Sequence, residues 1–255
     1  MNTIKPLLVT TKQLELLILL YRFRFLNTNQ ITKLLNHKDP HRIKVWLADL
    51  VQKQYIYSNY QRKKFGQNTK PSVFHLLPKA REVLKGQEEC CLSGLKNIYG
   101  EDKRSKNFIS NCLFLADIYL IFSSHVNRKL KLNFSTKVDL TEYGFFPDPL
   151  PDAYFVIKEP RETNRYFLLL LEEKAPRYAL MGKIQKYIDY SRSNTWSSNT
   201  KKTYPSTLII CPDYPKKQFI KKFISQNYPS EDFYLTTKGT VRLKGMRSEI
   251  WEEVG

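Results

Sequence analysis

Residues 151–174 read PDAYFVIKEPRETNRYFLLLLEEK and contain two apolar runs, 153–157 and 166–171. The second run continues for six positions without a polar side chain, which is typical of a strand covered on both faces. We expect the two runs to pair as a hairpin inside a sheet. Such a hairpin would bring the charged residues that border the runs to one end of the sheet.

Three of these charged residues form a candidate catalytic site. Asp152 precedes the first run, and Glu172 and Lys174 follow the second. Because strand side chains alternate, Glu172 and Lys174 should share one side, while Glu173 points away unless the register shifts by one residue. Two carboxylates and a lysine beside a buried strand are costly unless something pairs them. A divalent cation held by Asp152 and Glu172 would do so, and it could act on a phosphodiester.

The same residues also have an ordinary structural explanation. Glu172 and Lys174 could form an ion pair at the strand end, with Asp152 capping a turn after the proline. The apolar strand that leads into the charges, together with the Pro-Asp placement, favours the metal site. In that interpretation Lys174 would position or deprotonate the attacking water and stabilise charge on the phosphate.

The composition indicates a polyanionic partner. The 255 residues carry a formal net charge of +18, and the pI is near 9.6. Residues 1–86 hold 16 Lys and Arg against 4 Asp and Glu, whereas the remaining residues hold 26 against 20. A basic N-terminal module joined to a more balanced one points first to nucleic acid, although charge alone does not separate DNA from RNA.

Cysteine usage and hydropathy suggest a cytoplasmic protein with no membrane partner. The four cysteines form no CxxC pair, which argues against a structural zinc site and a disulfide scaffold. Residues 1–11 lack the apolar core of a signal peptide. The longest apolar stretches are far shorter than the ~20 residues that a membrane-spanning helix needs. We therefore expect reduced thiols in the cytoplasm.

The module over residues 1–86 is predicted to contain three helices followed by a basic hairpin. The third helix should begin after Asp39-Pro40, an N-cap followed by proline at the first helical position. This order is typical of a winged helix-turn-helix, whose third helix enters the major groove. The alternative is a structural module with a solvated basic loop. The residues predicted to contact DNA start the third helix and fill the wing: His41, Arg42, Lys44, Arg62, Lys63, Lys64 and Lys70.

Residues 87–104 are polar and show no regular spacing of apolar side chains, which predicts a linker to a second domain over 105–255. In that domain a helix precedes three strands, which are followed by a helix, a strand, a helix and a short strand. This order predicts an α+β chain whose C-terminal domain is a mixed sheet flanked by helices.

The first helix after the charged residues should span about 179–191. Its spacing places four residues on one face: Lys183, Lys186, Tyr187 and Tyr190. We expect both tyrosines to pack on the sheet. Lys183 could hold a DNA backbone beside the site or snorkel from the edge of the sheet, and the sequence does not choose between these roles.

Several short motifs carry a resemblance to known families. The strand order with Pro-Asp and Glu-x-Lys resembles the PD-(D/E)xK nuclease-like superfamily. The whole chain resembles more closely the replication-relaxation family of plasmid and mobile-element proteins. The similar stretches are LLYRFRFL at 19–26 with Gln30-Ile31, Pro151-Asp152-Ala153, Leu171-Glu172, and Lys183 with Tyr187 and Tyr190.

The resemblance implies a role on DNA in plasmid replication, relaxation or mobilisation, with protein partners from a replication, mobilisation or transposition complex. An active site would use Mg²⁺ or Mn²⁺ to nick or cleave duplex DNA. Two departures bear on activity. The family position that matches Lys174 is often an acid, so Glu-x-Lys here is closer to the active-nuclease pattern. Many nucleases of the superfamily carry a further acid on the helix before the first strand, where this chain offers only Asp117, although Glu142 or Asp148 could substitute from the loop before Asp152. The alternatives are a non-catalytic DNA-binding accessory or regulatory protein with a degenerate nuclease fold, and an RNA-binding protein.

Overall fold

The computed structural model describes residues 9–59, 71–127, 130–228 and 232–254. The chain divides into two compact units, Met1–Leu120 and Ile121–Gly255, which are described separately. Within the stretch predicted as a linker, residues 92–100 form a turn of α-helix and a 3₁₀ helix.

Within its described residues, the first unit contains six α-helices, the 3₁₀ helix and three short strands. Their bounds are α1 Thr11–Phe23, β1 Leu26–Asn27, α2 Thr28–Leu34, α3 Pro40–Gln52, β2 Ile56–Asn59, β3 Val73–Leu76, α4 Ala80–Leu84, α5 Leu92–Leu95 and α6 Lys106–His125, which continues into the second unit.

Side-chain caps determine where the first three helices begin. Thr10 and Asn27 each form a capping box, with Gln13 and Gln30 respectively, at the starts of α1 and α2. Asp39 caps α3 by accepting a hydrogen bond from a backbone N–H of the first turn. The predicted cap of α3 is therefore confirmed.

The strands of this unit form a sheet in the order β1-β3-β2, in which both pairings are antiparallel. Three helices followed by a hairpin therefore occur in the predicted order. The predicted wing residues Arg62, Lys63, Lys64 and Lys70 lie outside the described residues. The winged helix-turn-helix assignment stays a prediction.

The second unit is a six-stranded mixed sheet with helices, which confirms the predicted α+β class. Its strand order is β4-β5-β6-β7-β8-β9, and β6, β7 and β8 run parallel to one another while the other pairings are antiparallel. The bounds are β4 Lys131–Thr136, β5 Ala153–Lys158, β6 Thr163–Leu170, α7 Arg177–Arg192, α8 Thr195–Thr200, β7 Ser206–Cys211, α9 Tyr214–Asn227, β8 Phe233–Thr237, α10 Lys238–Lys244 and β9 Glu252–Val254.

The two apolar runs form the antiparallel hairpin β5–β6, as predicted, with Ala153 opposite Leu168. The sheet interior holds β6 between β5 and the parallel strand β7, which explains its continuous apolar run. One core cluster packs residues of β6, β7 and β8 against α7 and α9. Its members include Leu169, Ile184, Tyr187, Trp196, Ile209, Ile224 and Leu235.

Helix α6 is the one helix of the described residues that is long and apolar enough to cross a membrane. Length and composition also select the core helices of proteins outside membranes, so this property is weak support for a membrane span. In the first unit, its Asp117 and the Leu113 carbonyl both accept hydrogen bonds from the Gln30 side chain, at 2.6 and 2.7 Å.

Candidate functional site

Asp152 lies immediately before β5 and is held by its own backbone and side chain. Its N–H donates to the Leu168 carbonyl at 2.9 Å, and its carbonyl accepts from the Lys137 N–H at 3.1 Å. Its side-chain Oδ2 accepts from the Leu170 N–H at 2.7 Å. The carboxylate is therefore fixed beside the carboxyl end of β6, where the sequence predicted it.

Lys183 projects from α7 and meets this carboxylate. Its Nζ lies 3.4 Å from Asp152 Oδ2, and the two side chains are only 22% and 27% exposed. The basic group that the sequence offered as a DNA contact therefore neutralises the proposed catalytic acid. The Leu170 N–H and the Lys183 ammonium both contact the same oxygen, Oδ2.

Glu172, Glu173 and Lys174 lie in an exposed turn and not in the strand. Strand β6 ends at Leu170, and the Leu171 N–H still donates to β7 at 3.0 Å. The expectation that strand alternation orients Glu172 and Lys174 is wrong. Burying three consecutive charged residues between two neighbouring strands would carry a large desolvation free energy, so the chain leaves the sheet before them.

Two hydrogen bonds to main-chain carbonyls hold the turn. The Ala175 N–H donates to the Glu172 carbonyl at 3.3 Å, and the Lys216 side chain donates to the Glu173 carbonyl. Lys216 belongs to the first turn of α9, which follows the carboxyl end of β7. The acidic turn is therefore attached to the same edge of the sheet as Asp152.

A second cation, Lys238, belongs to this edge. It is half-buried at the start of α10. Its pKa lies below the ordinary value, mainly because of burial and then because of the nearby Arg242. The negative charges of Glu173, Asp152 and Glu172 raise the pKa of Lys238 and so oppose this shift. Lys238 therefore shares an electrostatic neighbourhood with all three acids.

Sequence reasoning missed Lys238 because it did not establish that β7 and β8 are parallel. The register aligns Leu170 of β6 with Ile210 of β7 and Ile210 with Thr236 of β8. Parallel strands end at the same edge of a sheet, so a residue shortly after Thr236 lies near the edge that holds Asp152. A βαβ pattern over 206–237 was the signal that could have placed Lys238 there.

The groups at this edge that could supply oxygen donors to a divalent cation are carboxylates. Asp152 and Glu172 supply oxygen donors, and Mg²⁺ often binds through one or two carboxylates. Within the described ranges no group of three His, Cys, Asp or Glu side chains could hold a metal ion. Any cation here would therefore depend on water or a phosphate for its remaining ligands.

Tyr187 and Tyr190 pack against the sheet, as predicted. The Tyr187 hydroxyl donates to the Pro149 carbonyl at 2.9 Å, and the Tyr190 hydroxyl donates to the Phe145 carbonyl. Burial is the main cause that raises the pKa of both, and that of Tyr190 is raised to about 12. These two neutral hydroxyls tether the loop that leads into Asp152.

A separate basic surface lies at the start of α3 in the first unit. Ile43 is buried, whereas His41, Arg42 and Lys44 are exposed. The first turn of this helix contains no acidic residue. The three residues that were predicted to contact DNA are therefore all accessible on one helix.

A model of the replication-relaxation family matches residues 17–205. The chain belongs to the replication-relaxation family. The resemblance to this family drawn from the short motifs is thereby confirmed. The match includes the start of α3 together with Asp152, Glu172 and Lys183, whereas Lys216 and Lys238 lie outside it. None of the curated proteins matches the chain.

Among solved structures, the chain is similar to the restriction endonuclease FokI, with 10% sequence identity and a TM-score of 0.34. The match covers 96% of this chain and 47% of the FokI chain, so this chain spans about half the length of that protein. A likeness at this level does not assign an activity.

Proposed function

We propose that this protein binds duplex DNA during the replication or mobilisation of a plasmid or other mobile element. The observation that carries the proposal is the first turn of α3, where His41, Arg42 and Lys44 are exposed around the buried Ile43. A helix that enters the major groove presents its N-terminal side chains to bases and phosphates. Membership in the replication-relaxation family and the net charge of +18 support the same partner.

The proposal is tested by fluorescence anisotropy on a labelled duplex at several salt concentrations. Loss of one phosphate contact in Lys44→Ala should lower affinity and reduce the slope of log K against log salt by roughly 0.9. The matched control is Lys103→Ala, which removes the same charge from an exposed position outside α3. Equal affinity and slope for both variants would contradict the assignment of α3. Tighter binding of a structured RNA of equal length would contradict the duplex partner.

A second candidate function is metal-dependent nicking of the bound DNA. The observation that favours it is the placement of Asp152, Glu172 and two lysines at one edge of the sheet. When bound by the two carboxylates, Mg²⁺ or Mn²⁺ would act as a Lewis acid toward a phosphodiester. The protein's own groups fix Asp152 through the Leu170 N–H and tether the preceding loop through Tyr187.

The rival to nicking is a non-catalytic protein in which Lys183 permanently satisfies Asp152. Nicking of supercoiled plasmid in Mg²⁺ or Mn²⁺ that is lost in Asp152→Asn would support the enzyme. The substitution keeps an acceptor for the Leu170 N–H, so the fold should survive. Wild-type protein that binds duplex yet leaves it intact with both metals would establish the accessory role.

A further inference from the structure

The feature that carries a further inference is the position of Lys238 at the carboxyl edge of three parallel strands. The Leu170 N–H holds Asp152 at 2.7 Å, Leu170 pairs with Ile210, and Ile210 pairs with Thr236. Lys238 follows two residues later. The β8–α10 junction therefore places Lys238 at the edge of the sheet where β6 ends and the acidic turn begins.

The junction also fixes where the lysine stem begins. The Thr237 side chain accepts a hydrogen bond from the Thr240 N–H at 3.1 Å and caps α10, and Lys238 is the first residue of that helix. An ammonium group at the end of a four-carbon stem is held less firmly than a guanidinium, but its half-buried position limits the directions available to it.

Lys174 is placed differently, although the sequence offered it as the catalytic lysine. It is exposed in the turn after β6, so solvent screens its charge. Lys183 is engaged with Asp152 Oδ2 at 3.4 Å. Lys238 is half-buried, and the strand register places it at the edge where Asp152 lies and the acidic turn begins. Partial burial strengthens the field of its charge at a bound anion.

We propose that Lys238, and not Lys174, is the catalytic cation that contacts the scissile phosphate of DNA in the proposed nicking reaction. The inference rests on the proposed nicking function. The ammonium group donates hydrogen bonds to a non-bridging phosphate oxygen and stabilises the charge that develops as water attacks. The water oxygen bonds to phosphorus, one ester P–O bond breaks, and the departing oxygen gains a proton as the water loses one. The products are a phosphate monoester and a free hydroxyl.

The test compares Mn²⁺-dependent nicking of supercoiled plasmid by wild type, Lys238→Met, Lys174→Met and Lys238→Arg. Loss of a charge-stabilising donor should slow Lys238→Met by about 100-fold or more. Loss of an exposed charge should leave Lys174→Met within about threefold of wild type. The conservative Lys238→Arg should recover part of the rate, because it keeps the positive charge. The matched control, Lys244→Met, removes a charge from the exposed end of the same helix.

Calorimetric titration with Mn²⁺ separates catalysis from a structural role. Lys238→Met should bind Mn²⁺ as tightly as wild type or more tightly, because a neighbouring cation has been removed. Weaker Mn²⁺ binding by that variant would mean that Lys238 only supports the carboxylates, and would overturn the inference. Wild-type nicking that survives in Lys238→Met would overturn this role alone. Absence of wild-type nicking would overturn the nicking function and this role with it.

Discussion

Replacing Lys183 with methionine tests whether this lysine occupies the place of a metal ion. The Lys183 ammonium lies 3.4 Å from Asp152 Oδ2, and both groups are less than a third exposed. Methionine keeps most of the apolar stem while removing the charge. Asp152 would retain its hydrogen bond from the Leu170 N–H.

The expected change in Mn²⁺ affinity follows from the distance between the two charges and from their exposure to solvent. Two unit charges at this separation attract by ~5 kcal/mol at an effective dielectric constant of about 20, and by ~1 kcal/mol in bulk water. Solvent access at this edge brings the net effect toward the lower value, to about 1–2 kcal/mol. A change of ~1.4 kcal/mol is tenfold in a binding constant, so Lys183→Met should bind Mn²⁺ roughly tenfold more tightly.

Isothermal titration with Mn²⁺, together with thermal unfolding with and without the ion, measures both consequences. Without metal the variant should unfold at a lower temperature than wild type, and Mn²⁺ should raise its midpoint by more. Lys186→Met, on the exposed side of the same helix, is the control. Unchanged or weaker Mn²⁺ affinity in Lys183→Met would refute the competition between lysine and metal.

Three further predictions concern buried polar groups. His75 is 1% exposed, and burial lowers its pKa below 6.5, opposed by the charge of Asp102. The unfolded chain therefore binds the proton more readily, so the free energy of unfolding should fall as pH drops below about 6.5, and His75→Phe should flatten this pH profile in urea titrations. Among the described residues Thr236 Oγ1 is buried without a hydrogen-bond partner, so Thr236→Val should leave the unfolding midpoint unchanged or raise stability by up to about 1 kcal/mol, and a clear loss would contradict this. Tyr187→Phe leaves the Pro149 carbonyl unpaired and should cost about 1–3 kcal/mol in chemical denaturation, whereas a neutral effect would contradict the tether.

The sequence predicted those features that depend on local patterns. Six apolar positions in a row predicted β6, and Asp39-Pro40 predicted the start of α3. Both features depend on residues that are neighbours in the sequence. The helical spacing also placed Tyr187 on the face that packs against the sheet.

The site could be predicted only in part, because its geometry depends on pairings between distant segments. Asp152 was identified, but its contact with Lys183, thirty-one residues later, depends on how α7 packs against the sheet. The exit of the chain after Leu170 separated Lys174 from its predicted position. Placing Lys238 depended on recognising the βαβ unit over 206–237, and with it the parallel register of β7 and β8.

The attachment of the loop before Asp152 to Tyr187 and Tyr190 has an evolutionary consequence. Both hydroxyls donate to main-chain carbonyls, at Pro149 and Phe145, and every amino acid supplies that acceptor. Relatives could therefore diversify the residues of this loop, and with them the shape of the rim, while the anchoring bonds survive each replacement. Natural variation should accumulate in the loop and spare the two phenols.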